Sequence, residues 1–341
     1  MKKVFFAVAV FAALTACNKE VSPVPVPENG QLKELAVASV SATTTKGYVE
    51  GEDFLDTAYD KLHEDGENPT EARKMLLSAY VEPTTGEAGN YFTGEIFAKG
   101  DDELYHHDPK IYWPLASKLS FLAVSSTEEF SGTAIKWNAD NVSKQVILDV
   151  SKKYLQDDIL FAGAFQAEKA NSSDKGTVPM VFNHAQAWIE FQLQVADESM
   201  EDILTIKDIK LENVYSRGEL TITGPASTSE SATASWNFNK EAASDLVMDD
   251  TYEVTGNFLT KDVSYMDMLI PEQGQTSILI TYTLNGGEEL QYRYNLDTAT
   301  WQMGKKYIYK IKFSLYEITI DPSVVPFADG DVSNFNPTEL S

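Results

Sequence analysis

The densest group of side chains that could bind a metal ion is His106-His107-Asp108, which follows Asp101-Asp102. Imidazole and carboxylate groups are common ligands of divalent metal ions. Neighbouring side chains of a strand point to opposite faces, so two adjacent histidines do not reach one ion unless the backbone bends. We therefore interpret this stretch as a solvated loop and predict no metal site in it.

A second possible ion site lies near the C-terminus, where Asp329–Asn334 places oxygen ligands at loop spacing. The stretch lacks the bidentate glutamate that completes a calcium loop, and we interpret it as an acidic tail. His184 lies at the start of a predicted strand and is assigned a structural role. The chain contains no nucleophile elbow, zinc-protease helix or phosphate-binding loop. The sequence thus predicts neither an enzyme nor a bound cofactor.

The charge of the chain narrows the range of partners. Its 341 residues include 27 basic and 52 acidic side chains, which gives a net charge of −25. So acidic a surface repels phosphate backbones, and no basic stripe offsets it, which excludes nucleic acid as a partner. Hydrophobic residues make up 43% of the chain, as in a folded protein, and the length is typical of two domains.

The N-terminus carries the features of an export signal. Lys2 and Lys3 precede the apolar run Val4–Leu14, and small residues lead to Cys17, the single cysteine of the chain. The order Leu-Thr-Ala-Cys at positions 14–17 is similar to a bacterial lipobox, whose cysteine is acylated and becomes the first residue. We predict a signal peptide at residues 1–16, a lipidated tether at residues 17–34, and attachment to the outer membrane through the acyl chains, for example palmitate, on Cys17.

The predicted elements of the mature chain are nearly all strands. A first strand spans Leu35–Ala42, where small and β-branched residues alternate, and Thr43–Gly47 interrupts it. Residues 53–80 form the single helical stretch, in which Thr70 is placed to cap a helix that continues through Tyr80. From Tyr91 onward, strands recur at a spacing of about ten to fifteen residues, which is typical of β-sandwiches.

This pattern predicts an all-β protein of two tandem β-sandwich domains with a minor helix in the first. One sandwich needs roughly 100 residues, and two series of strands are present. We place the N-terminal domain at residues 35–178, the C-terminal domain at residues 179–316, and a C-terminal tail at residues 317–341. Asn285-Gly286-Gly287 predicts a β-hairpin within the second domain.

Three groups of residues follow one another along the mature chain: Tyr112–Pro114 with Leu119–Val124, Asp157–Ala162 with Val181–Ala187, and Met268–Gln273 with Trp301–Tyr309. Together with the lipobox they span nearly the whole chain. In their residues and in their order they resemble the fimbrillin family of Bacteroidetes, whose members are major and minor pilin subunits of surface fimbriae.

The resemblance implies that both sandwiches are transthyretin-like and that the chain is a stalk or tip subunit of a cell-surface fimbria that serves adhesion. In the family, a trypsin-like protease removes the N-terminal strand after a basic residue, and the vacated groove accepts a strand from the next subunit. By position, Leu35–Ala42 matches the removable strand, and the bond between Lys46 and Gly47 matches the cleavage site. The best-known members have arginine there, so a protease that accepts lysine is implied. Alternatively, Lys46 is a loop residue and the strand stays in place.

The resemblance also places the donor strand at the C-terminus. Ile318 and Ile320 alternate with polar residues and Val324 follows, so these side chains are the expected plugs. Pro322 and Pro326 each remove a backbone donor, which favours an edge-type or bent donor. The expected partners are other fimbrial subunits in a head-to-tail homo- or hetero-polymer, the outer membrane, and ligands on host or bacterial surfaces.

Two other classes of function stay open on the sequence alone. A surface glycan-binding lipoprotein would display exposed pairs of tryptophan or tyrosine to sugars. A glycoside hydrolase would hold two carboxylates about 5–9 Å apart in a cleft. Trp113, Trp188 and Trp301 lie in strand patterns, and we predict that they belong to the core rather than to a sugar platform.

Overall fold

The computed structural model describes the greater part of the chain from Lys33 to Pro326. The described residues are 33–41, 74–82, 89–102, 104–114, 118–125, 135–140, 144–150, 159–167, 177–196, 203–215, 218–227, 230–238, 244–248, 267–269, 276–296, 301–314 and 316–326. They form 19 strands, and they contain no helix. Cys17, Lys46, Gly47 and Asp329–Asn334 lie outside them.

The strands have the following bounds: β1 (Ala36–Ser41), β2 (Met75–Glu82), β3 (Gly89–Lys99), β4 (Tyr105–His106), β5 (Lys118–Ser125), β6 (Ile135–Asp140), β7 (Gln145–Val150), β8 (Leu160–Ala167), β9 (Thr177–His184), β10 (Ala187–Val195), β11 (Leu204–Val214), β12 (Gly218–Thr223), β13 (Thr233–Phe238), β14 (Ser244–Met248), β15 (Asp267–Leu269), β16 (Ser277–Leu284), β17 (Leu290–Asn295), β18 (Lys305–Phe313) and β19 (Ile318–Pro326).

The prediction of a helix that reaches Tyr80 is wrong, because Met75–Glu82 is strand β2. Met75 and Leu77 point into one core, whereas Leu76 and Tyr80 point into another. A strand that is buried on both faces is apolar at nearly every position, so its sequence also satisfies the spacing of a buried helix. The rest of the predicted helical stretch, residues 53–73, lies outside the described residues.

The first part of the chain forms a closed seven-stranded barrel with the strand order β1-β4-β3-β2-β5-β8-β9. Closure is completed by β1, which runs parallel to β9 and antiparallel to β4. Alternate side chains of these strands fill the barrel, and the largest of them are Phe97, Tyr105, Phe121 and Phe182. Trp113, which lies between β4 and β5, packs into the same core. The core of this part of the protein is therefore enclosed by strands on all sides, and β1 is one of the walls.

A four-stranded sheet with the order β13-β12-β7-β6 covers one side of the barrel. Leu148 of β7 and Leu220 of β12 share a core with Leu122 and Phe161, which point outward from the barrel strands β5 and β8. This sheet combines strands from before and after the predicted boundary at residue 178, and the boundary itself falls within β9. The division of the chain into domains stays a prediction.

The last part of the chain forms two four-stranded sheets, β15-β10-β18-β19 and β14-β11-β16-β17, which share one core. Ile189 and Phe191 of β10 and Ile311 of β18 pack with Ile209 of β11 and Ile280 of β16. The predicted hairpin is confirmed as the turn between β16 and β17, where Asn285 and Gly286 have φ of 51° and 65°. The all-β prediction is confirmed for the described residues, whereas the transthyretin-like arrangement of both halves stays a prediction.

Candidate strand-exchange site

Strand β1 fits between two strands of the barrel. It pairs in parallel with β9 from Ala36 opposite Thr177 to Ser41 opposite Phe182. Its other edge meets β4 at one pair, Val37 opposite Tyr105. The predicted strand is thus confirmed over Ala36–Ser41, while Ala42 lies outside the described residues. The strand is held mainly along a single edge.

The two faces of β1 have different surroundings. Val37, and Leu35 immediately before the strand, point into the barrel core with 0% and 1% exposure. Ala36 and Ala38 point the other way and form a small cluster with Leu104. Burial of a leucine or valine side chain contributes about 1.5–3 kcal/mol each. The strand therefore acts as a plug of two apolar side chains, backed by a face of small residues.

The segment just before β1 is fastened by backbone hydrogen bonds. The N–H of Leu35 donates to the carbonyl of Ile111 over 2.9 Å, and the N–H of Trp113 donates to the carbonyl of Lys33 over 2.9 Å. Between them, Glu34 forms an antiparallel bridge with Tyr112. The groove occupied by β1 thus has a defined entrance at Ile111–Trp113.

Charged side chains gather at this entrance, and we name Glu34, Asp102, His106 and Lys110 the entrance cluster. Glu34 accepts from Lys110 Nζ over 2.5 Å, and its other carboxylate oxygen lies 2.9 Å from His106 Nδ1. The second imidazole nitrogen, Nε2, lies 2.8 Å from Asp102. One carboxylate from the segment before β1 therefore joins two cationic or polar side chains of the barrel.

The electrostatics of the entrance cluster follow from these contacts. The hydrogen bond to Glu34, with its negative charge, raises the pKa of Lys110. Partial burial by itself raises the pKa of Asp102, but the hydrogen bonds from His106 and from the N–H of Leu104 outweigh it and leave that pKa below its ordinary value. Both shifts favour the charged forms of Lys110 and Asp102.

The prediction that the histidine pair lies in a solvated loop is wrong for His106, which belongs to β4 and has a half-buried side chain. His107 turns to different partners, with Nε2 3.0 Å from Glu95 and Nδ1 2.6 Å from the carbonyl of Pro109. The two imidazoles therefore do not converge, as expected for neighbouring residues of extended backbone, whose side chains point to opposite sides. Within the described residues, no group of three or more histidine, cysteine or acidic side chains is arranged to hold a metal ion.

The predicted donor residues lie in β19, the edge strand of its sheet. This strand pairs antiparallel with β18 from Ile318 opposite Phe313 to Pro326 opposite Lys305. Ile318 is buried in the C-terminal core, Ile320 is half-buried, and Val324 is 56% exposed. The structure thus places the candidate donor against its own chain and does not bring it to the groove of β1.

Comparison with known proteins identifies the family. The model of the fimbrillin-like family matches residues 65–326, which is more than half of the chain. The chain belongs to the fimbrillin-like family. This membership supports a role as a subunit of a cell-surface fimbria. Among curated proteins, none matches the sequence.

Solved structures share the fold of this member of the fimbrillin-like family. A fimbrial protein of Bacteroides vulgatus is 14% identical with a TM-score of 0.56, and the match covers 87% of this chain and 100% of that one. A candidate cell adhesion protein of Bacteroides ovatus is 12% identical with a TM-score of 0.51, and the match covers 88% and 99% of the two chains. At this identity, the likeness establishes the fold alone.

The fimbrillin-like chain has two features that the sequence did not predict. Glu34 was placed in the tether, although it immediately precedes the apolar plug, and His106 and Lys110 were not linked to it. Their contacts join residues that are 72 and 76 positions apart, so local patterns carry no signal of them.

The core assignment of Trp113 and Trp301 is confirmed by exposures of 2% and 0%. No helix in the described part of the chain is long and apolar enough to cross a membrane.

Proposed function

We propose that the chain is a polymerising subunit of an adhesive surface fimbria, exported as a lipoprotein anchored through Cys17. Cleavage between Lys46 and Gly47 releases β1, and the C-terminal strand of a neighbouring subunit takes its place. The observation that supports this proposal most is the placement of β1, which completes the barrel wall and plugs its core but is paired along its length with β9 alone.

The loss of β1 would leave a groove that requires a new strand. Leu35 and Val37 would no longer cover the barrel core, and their removal exposes the apolar floor of the groove. Among the described strands, β9 pairs with β8 only at Asn183 and His184. Its residues 177–182 would therefore lose their strand partner, and unpaired backbone groups are costly when they are buried. An incoming strand restores the hydrogen bonds and the core together.

The C-terminal strand is suited to such a move because it has one strand partner where it now lies. In its sheet β19 pairs with β18 alone, and Val324 gains little burial from that position. In the groove the strand would have β9 on one side and β4 on the other. Since each subunit would offer a donor at one place and accept at another, the contact is head-to-tail and builds filaments rather than closed dimers.

Limited proteolysis of the mature protein, residues 17–341, tests this proposal. Trypsin is expected to cut after Lys46, so that Edman sequencing of the main product begins at Gly47, and the trimmed protein is expected to form ladders of oligomers on native gels. Lys46→Gln serves as the matched control, since it keeps the strand but removes the cleavage site. Uncut Lys46→Gln is expected to stay monomeric. If the trimmed protein also stays monomeric, the polymerising role is contradicted.

A further inference from the structure

Glu34 precedes the proposed cleavage site, so the segment that leaves the groove carries it away. The barrel then keeps His106 and Lys110, both of which have lost the carboxylate that they bind in the uncut chain. Asp102 remains as the partner of His106 Nε2. The entrance of the vacated groove therefore has a place for one carboxylate, in a chain whose net charge of −25 otherwise repels anions.

The start of β19 repeats the residue types that fill this place. Glu34-Leu35-Ala36-Val37 reads acidic, large apolar, small, apolar, and Glu317-Ile318-Thr319-Ile320 has the same order. Ile318 and Ile320 already share a face that packs into a core, as Leu35 and Val37 do. The side chain of Glu317 is exposed, and its backbone N–H and carbonyl bond to Ser314. A carboxylate thus precedes two apolar plugs in both segments.

One other stretch of the chain has this order, Glu219-Leu220-Thr221-Ile222 in β12. That strand is paired on both edges, with β7 and with β13, and its two apolar side chains have 0% exposure. It is therefore an interior strand of its sheet, with a hydrogen-bonded neighbour on each edge. Of the two stretches, only the one in β19 lies on an edge strand.

The position of Pro322 agrees with this alignment. When Glu317 replaces Glu34, Pro322 falls on Ser39. The N–H of Leu35 points away from β9, toward Ile111, and backbone donors alternate along a strand. The donor at position 39 therefore also points away from β9, so a proline there removes no hydrogen bond to β9. In its present place β19 is the edge strand of its sheet, a position in which proline is tolerated.

We propose that His106 and Lys110 form a carboxylate-binding site that selects the incoming strand and fixes its register by pairing with Glu317 of the neighbouring subunit. This inference rests on the proposed strand exchange. It assigns Ile318 to the position of Leu35 and Ile320 to that of Val37, with the incoming strand parallel to β9. A shift of one residue would turn both isoleucines outward, and the paired charges oppose such a shift.

Two reversed-charge variants test the site as a complementary pair. Variant Lys110→Glu keeps the native donor and has a reversed acceptor, whereas variant Glu317→Lys keeps the native acceptor and has a reversed donor. After trimming, each variant alone is expected to form oligomers roughly tenfold more slowly than the wild type, because like charges meet at the entrance. In an equimolar mixture every junction between unlike variants pairs opposite charges, so the mixture is expected to polymerise as an alternating copolymer.

The controls are Lys207→Glu and Glu289→Lys, which change the net charge equally at exposed positions away from the entrance. They are expected to assemble at the wild-type rate, alone and mixed. N-terminal sequencing and circular dichroism establish that each variant is trimmed and folded. If the reversal prevents folding, Lys110→Gln is measured alone, and assembly at the wild-type rate by this variant would refute the site. A mixture that assembles no faster than its separate components would refute the carboxylate-binding site. Failure of the trimmed wild-type protein to assemble at all would instead refute the proposed function.

Discussion

Gln186 accepts a hydrogen bond from the backbone N–H of Ile159 through its side-chain oxygen, over 2.9 Å. The carbonyl of Ile159 accepts a hydrogen bond from the N–H of Ala185 over 2.8 Å. Ala185 and Gln186 are the two residues between β9 and β10, and both have 0% exposure. The carbonyl of Ala185 also accepts from Trp236 Nε1, and that of Gln186 from the N–H of Gly304. This short connection is therefore fixed to the barrel, to β13 and to the turn before β18.

Replacing Gln186 by leucine is expected to lower the free energy of unfolding by about 1–3 kcal/mol, because the N–H of Ile159 loses its partner in a buried place. Urea denaturation of the mature protein measures the change. Gln291→Leu is the matched control, since Gln291 is exposed on the edge strand β17 and its loss should matter by less than about 0.5 kcal/mol. Equal effects of the two substitutions would show that the connection is not fixed in this way.

Tyr309 is expected to make the protein sensitive to alkaline conditions. Burial raises the pKa of Tyr309 to about 12, although the hydrogen bond from Trp301 Nε1 opposes the shift. Since the folded pKa lies above the ordinary value of 10.0, this stability is complete below pH 10.0 and is lost as the pH rises through about 12. We expect the free energy of unfolding to fall by as much as about 2 kcal/mol over that interval.

Tyr309→Phe removes the titrating group and is expected to flatten this part of the pH profile. The variant should also be less stable than the wild type by about 1 kcal/mol at neutral pH, because Trp301 Nε1 is left without its acceptor. Denaturation monitored by tryptophan fluorescence from pH 7 to pH 12 gives both values. An alkaline decline of the same size in both proteins would assign the effect to other groups.

Because Leu35 and Val37 cover the barrel core, we expect that shortening one of these side chains in the uncut protein lowers the free energy of unfolding markedly. Leu35→Ala is expected to destabilise the mature protein by about 2–5 kcal/mol, since Leu35 is 1% exposed in the barrel core. Ile96→Ala is the control on another barrel strand, where the side chain is 51% exposed and less than about 0.5 kcal/mol should be lost. Thermal unfolding compares the two, and a similar melting temperature for both variants would contradict the plug.

The ion pair between Arg293 and Glu212 is expected to stabilise the edge strand β17, and this contribution is expected to be lost in acid. Its guanidinium donates two hydrogen bonds to Glu212, over 2.7 and 2.9 Å, and this pairing, despite partial burial, holds the pKa of Glu212 below its ordinary value of 4.5. The stability from the pair is present above pH 4.5 and is lost as the pH falls through the lowered value.

Because Arg293 is 55% exposed, the contribution is expected to be about 1 kcal/mol or less. Hydrogen exchange of the β17 amides measures it locally, and Arg293→Gln should exchange faster than the wild type at pH 6 but not below pH 3. Lys207→Gln is the control for loss of charge, since Lys207 is an exposed cation on β11, the strand that also carries Glu212. Unchanged exchange in Arg293→Gln at pH 6 would rule out the fastening.

Local sequence patterns were sufficient for much of the strand content. The alternation in Leu35–Ala42 and the turn residues Asn285-Gly286-Gly287 predicted β1 and the β16–β17 hairpin, because side-chain alternation and positive φ are properties of a few neighbouring residues. The same reasoning failed at Met75–Glu82. There the two faces of a strand meet different cores, and only the tertiary structure distinguishes such a strand from a helix.

The candidate site could be predicted only in part. Strand β1 was predicted from its sequence, but the entrance cluster joins Glu34 to side chains more than 70 positions away. Closure of the barrel by a parallel β1–β9 pair and the sheet shared by β6, β7, β12 and β13 also depend on long-range pairing. Such pairing is set by packing of the whole chain, and no local spacing encodes it.

In a fibre joined by the proposed strand exchange, the two-residue connection between β9 and β10 would lie on the path of tension through each subunit. A strand inserted beside β9 would pass tension through Ala185 and Gln186 into β10, and from there into its parallel neighbour β18. Force along parallel neighbours shears many hydrogen bonds at once instead of opening them one by one. Tension would therefore cross each subunit along β9 and β10 and meet the hydrogen bonds of the whole β10–β18 pair together.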